Sequence, residues 1–364
     1  MTIMARLGVR PVLRSLTACL FVFLQTPAAT AQNIRPIRDS IGFCWNAGEM
    51  DAFMKFLEAH ADPAPPPPGA LVAAVSVHDD YLYAGKVYYP LYSTVRAKEV
   101  VIFGVTHGTV ARELGPQSNV VILDGYDRWR GPYGEVGISP LRSVIRDRLP
   151  SEFVLVNDRA HAIEHSIEAL IPFLQYYTRE VTITPIMVTR MPLQRMKDLS
   201  GMLAGIFADY IAANHLQVGK DIVFLMSNDA DHYGPDFNNA PYGTDARAHE
   251  RATSNDRRII STCLTGDISA SSIETLAKEI WPDSTSMTPV PVWCGRYPVT
   301  LGLLTVTDLM SRLGKSPVRG SLLKYSDTFS EGVLPVKNTS MGLTAVFSYR
   351  HWCAWFTEGF YVKD

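Results

Sequence analysis

Leu71-Val72-Ala73-Ala74-Val75-Ser76-Val77, followed at once by His78, is the stretch on which the fold turns. It is an apolar, β-branched run without in/out alternation, which marks a strand covered on both faces. Helical spacing follows through Val87, Leu91 and Val95. A second apolar run covers Val100 to Val105 and a third Val120 to Leu123; Val181 to Val188 and Ile222 to Met226 are further buried-strand candidates. Helical patterns separate them at Leu141 to Leu149, Ser166 to Tyr177, Leu193 to Ala213, Ala246 to Cys263 and Val299 to Leu313. This alternation predicts an α/β fold of three layers, with a mostly parallel central sheet and helices on both faces. Met341 to Ser348 reads as a late strand on an edge.

Toward the N-terminus, Glu49 to Ala61 reads as a helix with Met50, Phe53, Met54 and Leu57 on one face. It ends at Asp62 before Pro63 and the run Pro65 to Pro68, a stiff connector. Too little chain precedes that connector to fold alone, so it is a bridge inside one domain. The first residues read differently. Arg6, Arg10 and Arg14 form a positive region without acids, Ser15 to Leu24 is apolar, and Ala29-Thr30-Ala31 offers an A-x-A cleavage site. The apolar run is too short for a stable membrane anchor. Leu16-Thr17-Ala18-Cys19 resembles a lipoprotein box, but its cysteine precedes most of the apolar stretch. The expectation is a secretory signal peptide over 1–31, a single α/β domain over 32–364, and a periplasmic or secreted location.

With 47% hydrophobic and 19% charged residues, the chain has the means for a substantial core. Its 34 basic residues are balanced by 36 acidic ones and form no long run, which argues against nucleic acid as a partner. Removing the signal strips three arginines and no acid, leaving the mature chain acidic. No other segment is long and apolar enough to cross a membrane. Cys44, Cys263, Cys294 and Cys353 are far apart without a C-x-x-C pair, so no zinc ribbon or thioredoxin motif is present.

In open α/β sheets, sites form beyond the carboxyl ends of the strands. Three positions meet that rule: His78, His107 after Val105 and Thr106, and Asp229 with His232 after Met226 and Ser227. One such histidine is an ordinary polar loop residue. Three of nine histidines at the same sheet edge point instead to a transition-metal site, since imidazole is its commonest ligand. Cys294 stands directly before a helical stretch with Arg296 nearby, a setting expected to lower a thiol's pKa and favour a thiolate ligand. Its alternative is a buried structural cysteine or a disulfide partner.

In chain order, these residues resemble the Memo family, also called AmmeMemoRadiSam system protein B. Ile41-Gly42-Phe43-Cys44-Trp45 resembles the family's opening block, and His78 to Gly85 resembles P-H-A-G-Y-x-Y-S-G. Gly104-Val105-Thr106-His107 resembles G-P-S-H. Glu164-His165-Ser166-Ile167-Glu168 with Pro172-Phe173-Leu174 resembles E-H-S-x-E followed by P-F-L. Ser227 to Tyr233 resembles S-S-D-x-x-H-Y/W, and Cys294-Gly295-Arg296 with Pro298 resembles C-G-x-x-P. The resemblance implies the fold of the extradiol dioxygenase B subunit of the protocatechuate type. It also implies a metal held by His78, His107 and Cys294, with iron or copper as the ion, and it places Asp229 and His232 beside it as catalytic residues, with His232 where the dioxygenases keep their acid/base histidine.

Two departures stand out. The family's Ala-Gly is Asp79-Asp80 here, two carboxylates that either add an oxygen ligand, orient His78 or face water. Export is the other. In addition, His161-Ala162-Ile163-Glu164-His165 fits the H-x-x-E-H pattern of inverted zinc proteases; on one helix His161 and His165 share a face, with Glu168 a turn further on. Three functional readings result: an exported iron- or copper-binding protein with oxidoreductase chemistry on a small molecule, a non-catalytic peptide- or metal-binding protein, and a metallohydrolase.

Overall fold

The computed structural model describes residues 32–61, 63, 65–281, 289–315 and 317–363. The proposed signal peptide and its cleavage site at Ala31 lie outside the described residues. From Gln32 onward the chain is one unit.

The chain starts with β1 (Ile34–Arg35) and α1 (Ala47–His60), whose cap is the Asn46 side chain accepting from the Glu49 N–H. Next come β2 (Ala70–Ser76), α2 (Tyr81–Tyr92), β3 (Glu99–Val105) and α3 (Gly108–Leu114). The strands β4 (Val121–Leu123), β5 (Arg128–Gly131) and β6 (Gly134–Ile138) lead to α4 (Leu141–Arg148), β7 (Val154–Val156) and α5 (Asp158–Ala162). A 3₁₀ turn at Glu168–Leu170 runs into α6 (Ile171–Tyr177), then β8 (Thr182–Val188) and α7 (Leu193–Ala213). The remainder is β9 (Ile222–Ser227), β10 (His232–Tyr233), α8 (Ala246–Cys263), β11 (Gly266–Asp267), α9 (Ala270–Ile280), α10 (Arg296–Arg312), β12 (Arg319–Asp327) and β13 (Trp352–Val362).

The sheet runs β1-β5-β6-β8-β3-β9-β2-β13-β12-β11. Its middle, β6-β8-β3-β9-β2, is parallel, while the β5/β6 hairpin on one side and β13, β12 and β11 on the other are antiparallel. Strand side chains alternate between two cores. Val101, Phe103, Phe224 and Met226 face α7, α8, α9 and α10, whereas Val100, Ile102, Val223 and Leu225 face α1, α2 and α6. Two apolar faces explain why the central strands read as unbroken apolar runs.

The late strand is elsewhere than expected. Residues 341–347 form no strand; Val346 is 85% exposed, the Gly342 N–H donates to the Ile41 carbonyl and the Thr344 N–H to Asp80. The antiparallel partner of β2 is β13, buried along its whole length, with β12 outside it. The H-x-x-E-H stretch is also not one helix, because α5 ends at Ala162 and the chain turns at Ile163. His161 and His165 therefore share no helix face.

Candidate metal centre

Strands β2, β3 and β9 are neighbours in the sheet, so their carboxyl ends deliver His78, His107 and the Ser227–His232 segment to one edge. The ligand atoms of His78, His107 and Cys294 lie within 4.8 Å of one another. Groups sharing one ion at about 2.0–2.3 Å stand at most about 4.6 Å apart, so the cluster needs only slight contraction to hold one.

Each imidazole is fixed from behind. The Ser227 hydroxyl donates to the Ser166 carbonyl at 2.6 Å, so its lone pair receives His78 Nδ1–H at 2.7 Å. That leaves His78 Nε2 with its lone pair turned to Cys294 Sγ, 3.3 Å away. Burial, then the neighbouring His107 and His165, lowers the His78 pKa well below the ordinary imidazole value and keeps the ring neutral. Glu164 does the same for His107, accepting Nδ1–H at 2.8 Å and the backbone N–H at 2.9 Å. Burial pushes the Glu164 carboxyl up, but His107 outweighs it by charge and hydrogen bonding and holds it well below the usual carboxylate range. A carboxylate or hydroxyl behind a histidine, with the far nitrogen free, is the usual backing of a metal ligand.

Cys294 reaches the cluster through a close backbone contact. A side chain on Gly295 would meet the Ser227 carbonyl at 2.3 Å and Asn228 Cα at 2.7 Å, so only glycine lets this turn press against β9; its N–H donates to Asn228 Oδ1. Gly104 likewise admits the Glu164–Ser166 loop onto β3, since a Cβ there would meet Ile167 at 2.3 Å. The thiol differs from expectation. Burial, then the charge of Asp229, pushes Cys294 well above its ordinary pKa, and Arg296 is too weak to reverse this. A cation at the site is what would convert it to thiolate.

Asp229 accepts the His78 backbone N–H at 2.9 Å, and its other oxygen is 3.4 Å from His78 Nε2. Burial, then Asp79, raises it well above the usual carboxylate range. It thus sits beside the cluster rather than on a cavity wall. His232, held by β10 against β13, offers Nδ1–H to the Ala230 carbonyl at 3.1 Å, and burial lowers its pKa. The Ala230 and Val292 carbonyls oppose that lowering by hydrogen bonding to the ring, and a ring kept neutral can take up a proton. Asp229, His232 and Cys294 form a second group close enough to hold an ion.

Two cavities meet at His107. A polar one of about 390 Å³ is lined by Arg38, Asp39, Asp79, Asp80, Glu164 and His165, among others. A more apolar one of about 320 Å³ contains His232, Cys294, Val105, Val188, Phe237 and Tyr297. A larger cavity of about 490 Å³ lies at the opposite end of β13, beside Val362 where it pairs with Ala70, and carries none of these residues.

The other expectations sort as follows. Asp79 accepts from Trp355 Nε1 and the Asp80 N–H, and Asp80 from the Thr344 N–H and hydroxyl; neither bonds to His78. Burial, then Asp79, pushes Asp80 up to about 7. His161 is turned into the core, with Nε2 on the Ile122 carbonyl and its ring against Trp129, so it takes no part in the cluster. Glu168 is buried against Arg35 and accepts the Arg38 and Asp39 N–H groups, which ties the N-terminal segment to the site loop. Cys44, Cys263 and Cys353 are buried free thiols. Two contributors escaped sequence reasoning. His165 stacks on His107 at 4.8 Å between centroids, although it belongs to a motif already noted; Ser227 looked like the polar end of a strand.

The family model for Memo-like proteins matches residues 44–334. A MEMO1 family protein of Methanosarcina mazei is 28% identical over 278 residues, 76% of this chain and 85% of its own length. MEMO1 family proteins of Metallosphaera sedula and Aquifex aeolicus are each 31% identical over 43% of this chain, and the match spans about half of each. The sheet flanked by helices agrees with the extradiol-dioxygenase-like fold of that family, and the match runs through every element that builds the cluster. The chain belongs to the Memo-like protein family.

Proposed function

We propose that this protein is an exported iron- or copper-binding protein whose His78, His107 and Cys294 hold the ion, with oxidoreductase chemistry on a small molecule. The observation that carries the reading is the backing of both histidines: Ser227 and Glu164 each fix a proton on Nδ1 and leave Nε2 to the cluster. A mixed imidazole–thiolate set suits softer or redox-active ions over magnesium or calcium. When bound, such an ion would supply Lewis acidity and one-electron chemistry. The chain's own residues would do the rest. His232 would accept a proton on its neutral ring from a substrate in the apolar cavity, and Asp229 would hold the His78 backbone in place. Export rests on the arginine-flanked apolar run and A-x-A site of residues 1–31.

The test is metal analysis of the purified mature protein beside Cys294→Ser. Loss of one of three ligands should reduce iron or copper binding by more than the ~100-fold upper range for residues behind the ligands. Full metal content in Cys294→Ser would overturn the assignment.

A further inference from the structure

The donors and acceptors of the polar cavity are unevenly spent. Each of its carboxylates already accepts hydrogen bonds from neighbouring groups. Asp39 Oδ1 takes the Ile41 and Gly42 N–H groups, Asp79 takes Trp355 and the Asp80 N–H, and Asp80 takes Thr344. Glu164 takes His107 and the His165 and Ser166 N–H groups. Its donors are free. The exposed Arg38 guanidinium makes one bond among the described residues, from Nε to the Ile163 carbonyl at 3.3 Å, so its two terminal nitrogens are uncommitted. The His165 ring comes no nearer to a partner than 3.8 Å, from Nδ1 to Glu164, with 39% of its side chain exposed. Thr109 Oγ1 accepts from Arg112, which leaves its own O–H to donate, and the Ser40 hydroxyl is exposed on the same wall.

We propose that this cavity holds the carboxylate of a small organic substrate, with Arg38 and His165 as its direct partners and Thr109 and Ser40 as supporting donors. A guanidinium fork matches a carboxylate in shape and charge. The single guanidinium stands among the carboxylates Asp39, Asp79, Asp80 and Glu164, which repel a phosphate dianion more strongly than a carboxylate monoanion. Ile41, Phe43 and Ile163 supply apolar surface for the body of the molecule. The His165 ring is 4.8 Å from His107 and 5.7 Å from His78, so a ligand anchored there lies directly beside the metal cluster. The inference names a substrate class for the proposed metal centre and rests on that reading for the reactive end of the substrate.

The experiment is a titration of the mature protein, metal-free and iron-loaded, with phenylacetate, its neutral amide phenylacetamide, and phenyl phosphate. Calorimetry or ligand-observed NMR gives the affinities. Phenylacetate should bind about tenfold or more tighter than the amide, the scale of one charge-assisted contact, and tighter than the phosphate. Arg38→Gln, at an exposed position, should abolish the preference without shifting the melting temperature, and His165→Gln should weaken it severalfold. Equal binding of acid and amide, tighter phosphate binding, no detectable phenylacetate binding, or an unaltered preference in Arg38→Gln would each overturn the proposal. A protein that retains no iron or copper yet still prefers the acid would instead refute the metal reading alone.

Discussion

Replacing Ser227 with alanine tests the tautomer argument at its weakest link. The hydroxyl is fully buried and joins the Ser166 carbonyl to His78 Nδ1. Without it, the metal-free protein relieves His78 by moving the ring proton to Nε2, the nitrogen that faces Cys294. Metal binding must then drive that proton off and restore Nδ1–H with no partner in a site that is 1% exposed. An unsatisfied buried donor costs about 1–3 kcal/mol, equivalent to roughly 5–150-fold in affinity. This agrees with the about 10–100-fold found when groups behind metal ligands are lost. Competition against a chelator of known affinity measures the loss, and nitrogen-15 NMR of the metal-free protein reports the tautomer: Nδ1–H in the wild type, a mixture or Nε2–H in Ser227→Ala. The reasoning is refuted if the variant folds, binds iron or copper within twofold of wild type and keeps the Nδ1–H signal.

Three other outcomes follow from the same geometry. His161→Ala should lower stability by about 3 kcal/mol, the order for deleting a large buried side chain, yet leave metal content unchanged in the folded protein; zinc loss there would revive the metallohydrolase. In the metal-free protein, Glu164 raises His107 above its ordinary 6.5, and His107 helps hold Glu164 well below 4.5. The raised histidine's contribution fades as pH rises through its folded pKa and the depressed carboxylate's as pH falls through its own, so the pair stabilises most between about pH 4.5 and 6.5; urea midpoints of Glu164→Gln should lack that maximum, and an unchanged profile would count against the pair. N-terminal sequencing of exported protein should begin near Gln32, whereas a mature chain retaining Arg6, Arg10 and Arg14 would contradict export.

The layered α/β architecture and the helices α7 and α8 at their observed bounds were legible along the chain, because a parallel strand buried on both faces and a long amphipathic helix each leave a local periodic signature. The chain also indicated which histidines gather at one sheet edge, since His78 and His107 lie one or two residues past apolar runs and that edge is where such residues meet. Contacts between residues distant in sequence emerged only on folding. The pairing of β13 with β2 across more than 280 residues, Trp355 rather than His78 as the partner of Asp79, and the turn that breaks the H-x-x-E-H stretch have no local pattern. The same holds for the chemistry of Cys294: its position before α10 and beside Arg296 is written in the chain and argues for a lowered pKa, but the burial that raises it is a property of the packed site. Likewise Ser227 is one more polar residue at a strand end until the Ser166 carbonyl, 61 positions away, accepts its hydroxyl's hydrogen bond and so orients the lone pair that receives His78 Nδ1–H.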